Sequence, residues 1–419
     1  MLIFGSYIIC IMRMRFLTIS VSLGKNHVIR LPEIFWFLMA IAAVSAELFI
    51  QSINNYHIFK GVFWHTIEQT NLYAHYPAEY HDKNHYGPFF SIVIAPFALL
   101  PNGIGVFAWC LVNAFVLYYT IKKLPLNTNG KLAVLAIAAI EMMTSIHNVQ
   151  VNPMLASWII LAFVMTEKGS NFWAGLFIAA GFMVKIYGIA GLVFFAFSKN
   201  RLQFVLSFLF WVVVMFILPM LMSSPAFVIQ SYNEWGMTLM EKNSENIDFL
   251  SQSTMQDISV MGLIRRIFQI PYSINLYVLI PAFFMILLPL LRFNQYKFLL
   301  YRLSYLSIVL ISVVIFSTSA ESSTYVIAVT GAAIWYVAYP RKKWSTVLLV
   351  FMLLLTCLSP TDLFPAYIQN HYIRPYSLKA LPCIIIWAIL IWGVAIKNFF
   401  KLKSHVLKDE TFMYHIPGL

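Results

Sequence analysis

The chain has 419 residues, 61% hydrophobic and only 11% charged, with 28 Lys and Arg against 16 Asp and Glu for a formal net charge of +12. A soluble domain carries about a quarter charged residues, so this composition, with a mean hydropathy of +0.78, excludes that class and puts the chain in a membrane. The cationic balance fits retention loops and anionic lipid and asks for no nucleic-acid partner.

In chain order, residues 1–31 break short apolar runs with Arg13 and Arg15 and offer no small-residue cleavage site, so a cleaved signal peptide is not expected. They read as an N-terminal extension, either interfacial or the product of a start assigned too far upstream. Apolar runs able to cross a hydrocarbon core of roughly 30 Å follow at 32–51, 103–121, 132–147, 153–166, 202–222, 274–291, 302–318, 324–339, 344–359 and 379–396. Two further pieces are different. Residues 88–101 (PFFSIVIAPFALLP) are short and proline-interrupted, and 172–197 carry Lys185 and Gly188 in mid-run; each is expected to be a re-entrant or broken-helix hairpin that returns to its own side. The expected fold class is all-α: a polytopic integral membrane protein of about 10–13 transmembrane helices spanning 32–397, then a cytoplasmic tail, 398–419. Cys10, Cys110, Cys357 and Cys383 sit in apolar segments without metal-ligand or disulfide spacing and read as packing residues.

With that division Lys122, Lys123, Lys131, Lys168, Lys199, Arg201, Arg292, Lys297, Arg302, Arg341, Lys342, Lys343, Lys397, Lys401 and Lys403 fall on one face, which the positive-inside rule makes cytoplasmic. The opposite face receives the long polar segments 52–87, 223–273 and 360–378, with most of the carboxylates, Asp248 and Asp257 among them. No internal repeat of the kind that builds secondary transporters is found. A long external segment followed by a re-entrant piece is the layout of an enzyme that takes a lipid-borne substrate from the outer leaflet.

Several segments then carry a resemblance. They are NLY (71–73), YGPFFSIVIAPFALLP (86–101), Trp109 and Asn113, HNVQVNP (147–153), AGLFIAAGFMVKIYG (174–188) and AESSTYVIAVTGAAIWY (320–336). In this order they resemble glycosyltransferase family 87, polyprenyl-phosphate-mannose-dependent enzymes of the GT-C superfamily, over about residues 32–397. The resemblance implies a GT-C-like fold in a bacterial inner membrane and an inverting transfer on the external face. The donor it implies is a polyprenyl-phosphate sugar, mannose or a related hexose, and the acceptor a glycan or glycolipid. No cofactor and no metal are expected, since neither a DxD signature nor a Gly-rich phosphate loop occurs.

Such a transfer needs a base within reach of the acceptor hydroxyl and cations or donors for the departing phosphate. In the family the base is an aspartate early in the first external loop; the matching position here is Asn55, whose amide cannot take a proton. Glu47, Asp82 and Glu321 are the candidate replacements, with Glu79 and His75, His81 and His85 close by Asp82. Glu47 lies eight residues before Asn55, which on a continuing helix would put both on one face. For substrate binding the candidates are Asn54, Tyr56, His57, Lys60 and Tyr86 in the first polar segment and Asn148, Gln150 and Asn152 in the turn after 132–147. These three amides read equally well as satisfying the backbone of a proline-broken helix end. Arg265 and Arg266 (SVMGLIRRIFQI) suit an amphipathic interfacial helix that grips lipid phosphate or merely anchors to headgroups. Lys185 lies about 20 Å along its run, where an ammonium must face a wet cavity or the protein interior: it holds the donor phosphate, or it pairs with Glu141 or Glu321. Three classes of function stand: a lipid-linked-sugar transferase, a transporter or flippase of lipid-linked saccharide, and a non-catalytic glycolipid-binding relative.

Overall fold

The computed structural model describes residues 19–22, 28–247, 255–402 and 407. Cys10, most of the 1–31 extension, Asp248, Lys403 and most of the 398–419 tail lie outside the described residues. A short antiparallel pair, β1 (Ser20–Ser22) and β2 (Val28–Arg30), precedes the helices. The helices are α1 (Leu31–Ile50), α2 (Asn54–Glu68), α3 (Phe90–Ala98), α4 (Asn102–Lys123), α5 (Thr128–His147), α6 (Asn152–Glu167), α7 (Asn171–Val184), α8 (Arg201–Ile217) and α9 (Pro225–Ile247). Then follow α10 (Val260–Phe268), α11 (Asn275–Leu287), α12 (Leu299–Ile315), α13 (Tyr325–Ala338), α14 (Lys343–Met352), α15 (Ala366–Ile368) and α16 (Leu381–Ile396). The protein is an all-α polytopic membrane protein.

Among the described residues five helical stretches are long and apolar enough to span a bilayer: Leu31–Ile50, Asn102–Lys123, Thr128–His147, Arg201–Leu221 and Leu378–Ile396. The remaining expected spans coincide with the shorter apolar helices Asn152–Glu167, Asn275–Leu291, Leu299–Ile315, Ser322–Ala338 and Lys343–Leu358. By contact the chain divides into two compact units, the first Met1–Met39, Tyr118–Met143 and Asn246–Leu419, the second Ala40–Leu117 and Thr144–Glu245.

In the first unit α12 packs along α13 and α16. Every residue of α13 is buried and α12 is buried nearly all round, so apolarity without periodicity marks these two as the interior of the bundle. Cys357 and Cys383 are free and buried there, as Cys110 is in the second unit, which fits a packing role.

In the second unit the broken run is resolved as a helical hairpin. α7 ends at Lys185, whose extended backbone (φ −155°, ψ 109°) turns the chain into the 3-10 segment Ile186–Phe197. The arms then meet along their length. A Cβ on Gly188 would stand 2.3 Å from the Phe182 nitrogen and 2.5 Å from the Gly181 Cα, so only glycine lets the backbones approach this closely. At the base of the hairpin Ser198 Oγ donates to Asn171 Oδ1 at 3.0 Å, closing the two ends on each other, so the run returns to where it started.

The expectation for 88–101 is corrected. It forms one short helix, α3, with Pro96 inside it, packed on α2. Tyr56 Oη donates to the Phe97 carbonyl at 2.7 Å, and Lys60 Nζ reaches Asn102 Oδ1 at 2.8 Å and the Leu100 carbonyl at 3.4 Å. Nor is 52–87 a plain loop: Tyr56, Phe59, Val62, Phe63 and Thr66 recur at helical spacing and form the buried face of α2. Likewise 223–273 contains two helices, the 23-residue α9 and, later in the chain, the expected α10.

Candidate active site

The turn that follows α5 gathers side chains from four other elements of the second unit. α5 closes with the Val149 amide donating to the Ile146 carbonyl (2.8 Å) and the Gln150 amide to the Ser145 carbonyl (3.1 Å), the doubly bonded cap that needs a left-handed residue between helix and exit. That residue is Val149, with φ 52°. A β-branched side chain in this region costs about 1–2 kcal/mol, and such strain persists only where the surroundings over-determine it.

Those surroundings are specific. Glu47, buried in the last turn of α1, pairs through Oε1 with Nδ1 of the half-exposed His147. Asn55 Nδ2 donates to the Asn148 carbonyl at 2.9 Å, Trp109 Nε1 to the Val149 carbonyl at 3.1 Å, and Tyr86 Oη to Gln150 Oε1 at 2.9 Å. α1 does not run on to Asn55, as the shared-face expectation required. It stops at Ile50 with Gln51 left-handed (φ 55°) and the Ser52 amide on the Glu47 carbonyl. Glu47 and Asn55 are nonetheless brought together, because both dock on consecutive residues of one turn. Of the three amides of this turn Asn148 does serve the helix end, its Nδ2 donating to the Thr144 carbonyl at 2.8 Å, whereas Asn152, fully buried, makes no side-chain hydrogen bond among the described residues and caps nothing. A buried amide left without partners costs about 1–3 kcal/mol, and it stands ready for a polar ligand.

Tyr86 links this turn to the hairpin. Its ring stacks on Phe90 (4.8 Å) and meets Phe59 edge-on (5.2 Å), while Phe59 also touches Trp109. The Lys185 ammonium lies 5.9 Å from the Tyr86 ring centre and 4.8 Å from that of Tyr187. The Gly87 amide donates to the Val184 carbonyl at 3.0 Å, which pins the hairpin tip beside residues 85–87. His85 sits in the same place, neither ring nitrogen hydrogen-bonded among the described residues. Burial first, then the charges of Lys242, Lys185 and Lys83, push its pKa down to about 4 against the opposing pull of Asp82. His85 is therefore neutral near pH 7, and although Lys83 is paired with Glu241 at 3.2 Å and Lys242 with Glu245 at 3.9 Å, the charges around it still disfavour a second cation there.

The other expected site residues serve mostly as fasteners. Asn54 Oδ1 accepts from the His81 amide at 2.9 Å, and Asp82, exposed, accepts from the Lys83 amide at 2.8 Å. Glu79 pairs with the buried His65 at 3.2 Å. Tyr56 and Lys60 tie α2 to the end of α3, and His57 beside them is shifted down, by burial and then by Lys60. Arg265, Arg266 and Glu321 belong to the first unit. Arg265 is buried against Asp257, and Arg266 donates to Ser377 Oγ and to the Gln256 carbonyl at 2.8 Å, so protein groups occupy both guanidinium groups. Glu321 caps the turn Ser322–Thr324, its side chain receiving the Thr324 amide.

The pairing of Lys185 with Glu141 is overturned: Glu141 Oε1 receives Lys379 Nζ at 2.8 Å. His147 stood inside a quoted motif without a role. The signal that could have found it is a histidine at the outer end of one expected span and a carboxylate at the outer end of another. Among the described residues no group of three or more His, Cys, Asp or Glu side chains is placed to hold a metal ion.

Comparison with curated proteins gives no match. The model of glycosyltransferase family 87 matches residues 84–318, more than half of the chain. That match takes in Tyr86, the turn after α5, the hairpin and Lys185, while Glu47 and Asn55 precede it. A helical bundle with spans of membrane length and a family match of this extent lead to one conclusion: the chain belongs to glycosyltransferase family 87 and is a membrane glycosyltransferase.

Proposed function

We propose that the enzyme takes its sugar, mannose or a related hexose, from a polyprenyl-phosphate donor. It passes the sugar with inversion to a hydroxyl of a glycan or glycolipid at the external face of a bacterial inner membrane, using the GT-C-like region 32–397. The observation that carries this reading is the cation at the tip of the hairpin. Lys185 stands on an extended break between two apolar arms, next to His85, Lys83 and Lys242. Lys83 and Lys242 are paired with Glu241 and Glu245, so a lipid phosphate at that depth is drawn to the Lys185 ammonium, and its prenyl chain has apolar helix to lie along. Gln150 and Asn152 with Asn148 and Tyr86 are the hydrogen-bonding groups assigned to the sugar. Arg265, Arg266, Lys60, His57, Tyr56 and Asn54 are assigned supporting roles in shaping the loops. Asp82 and Glu321 remain candidates as acid or base on the strength of their carboxylates alone.

The test is transfer from radiolabelled polyprenyl-phosphate mannose by the purified full chain in detergent, with a panel of glycolipid acceptors. Lys185→Ala should raise the donor Kd by about 10–100-fold, the worth of one charge-assisted hydrogen bond; unchanged affinity removes Lys185 from the donor site. A second reading, a glycolipid-binding relative without turnover, draws on the amide at Asn55. Donor that is bound tightly and never consumed is its signature.

A further inference from the structure

We propose that His147 is the general base of the transfer and that Glu47 is its positioning residue, a reading that rests on the glycosyl transfer set out above. Transfer to a hydroxyl requires a group that can take a proton and is open to the acceptor. The expected candidates of the second unit fall short in different ways. Glu79 is taken by His65, and Asp82 is exposed and hydrogen-bonded to its neighbour's amide. Asn55 has no proton affinity of use, and its amide is spent on the Asn148 carbonyl. His85 is half-buried among lysines, where protonation is disfavoured.

His147 differs in every respect. Its ring is 47% exposed, whereas the Glu47 carboxylate that holds it is 4% exposed. With Nδ1–H donated to Glu47, the tautomer is fixed and Nε2 keeps its lone pair for a proton. A buried carboxylate that fixes an imidazole and stabilises its charged form is the arrangement by which a weak oxygen nucleophile is activated on unrelated folds. Position agrees as well. Gln150 is the third residue after His147, so their Cα atoms are no more than about 11 Å apart. Gln150 is bonded to Tyr86, over which Lys185 lies.

The step balances without a cofactor. The acceptor hydroxyl gives its proton to His147 Nε2 while its oxygen bonds to the anomeric carbon. The bond from that carbon to the phosphate oxygen breaks, and its electron pair leaves on the phosphate beside Lys185. The imidazolium, stabilised by Glu47, then returns its proton to water.

The experiment compares wild type, His147→Ala, His147→Gln and Glu47→Gln for donor binding, kcat and KM, with thermal melting as a check on folding. His147→Ala and His147→Gln should bind donor within twofold of wild type and lose about 10²–10⁴-fold in kcat, the range of a general base. Added imidazole should restore part of the His147→Ala rate and none of the His147→Gln rate, where the cavity is filled. Glu47→Gln should lower kcat with little change in donor KM, and Glu47→Asp should recover part of it; a merely structural carboxylate would shift melting and both constants together. If both His147 variants turn over at the wild-type rate, the base is elsewhere and the transferase reading stands. If wild type binds donor and forms no product with any acceptor, the transferase reading falls and takes this base with it.

Discussion

Lys379→Met should cost about 3–5 kcal/mol of stability, the usual penalty for leaving one member of a buried ion pair alone. Lys379 and Glu141 are almost wholly buried in the first unit, with Nζ 2.8 Å from Oε1 and a further bond of 2.9 Å to Ser322 Oγ. The backbone of Lys379 is held too, its carbonyl accepting from Thr356 Oγ1 at 2.9 Å. The second carboxylate oxygen, Oε2, has no hydrogen-bond partner among the described residues, so nothing else compensates the charge when the ammonium is gone. Removing both charges together is a different matter, because the desolvation cost disappears with the pair. Thermal melting in detergent should therefore show Lys379→Met well below wild type and the double variant Lys379→Met with Glu141→Leu recovering most of the loss. A single variant that melts like wild type would show that the pair contributes nothing. The double-mutant cycle also separates the pair from its packing.

Gly188→Ala should disable the enzyme while leaving most of it folded. The added Cβ meets backbone atoms of Gly181 and Phe182 at 2.3–2.5 Å, and backbone cannot rotate away as a side-chain tip can. The arms of the hairpin must separate, at a cost of about 1–3 kcal/mol for the overpacking. Lys185 lies three residues from the clash and moves with it. A misplacement of about 1 Å in a catalytic arrangement can cost 100-fold in rate, so turnover should fall by at least that factor and donor affinity with it. Gly103→Ala is the control, since a Cβ there meets nothing within 4 Å. Equal activity in the two variants would mean that the hairpin tip does not take part.

The spans were legible because the bilayer writes them as uninterrupted apolar length, and each expected run from 32–51 to 379–396 has its helix. Lys185 was legible for the same reason, as an ammonium in an apolar run has few places to be. α2 and α9 were not, because each buries only one face and keeps a polar one, which removes the length signal and leaves a weaker periodic one. The partnerships were the least legible part. Glu47 and His147 come from different helices, and Lys379 finds Glu141 across 238 residues. Composition shows that a buried charge needs a partner and is silent on which. The sequence therefore offered Lys185 for Glu141, where the fold supplies Lys379.

The left-handed Val149 has a consequence for handling the protein. Its conformation is imposed by Trp109, Asn55 and Tyr86 holding the turn from outside, while its own preference favours relaxing to ordinary backbone. Any treatment that loosens those anchors slightly, such as a harsher detergent or mild warming, lets the turn relax long before the helices part. Inactivation should then precede unfolding: transferase activity is lost on a heating ramp several degrees below the loss of helical circular dichroism, and cooling restores it. In such a molecule catalytic output is the more sensitive gauge of nativeness, and a sample that looks intact by helicity can already be silent.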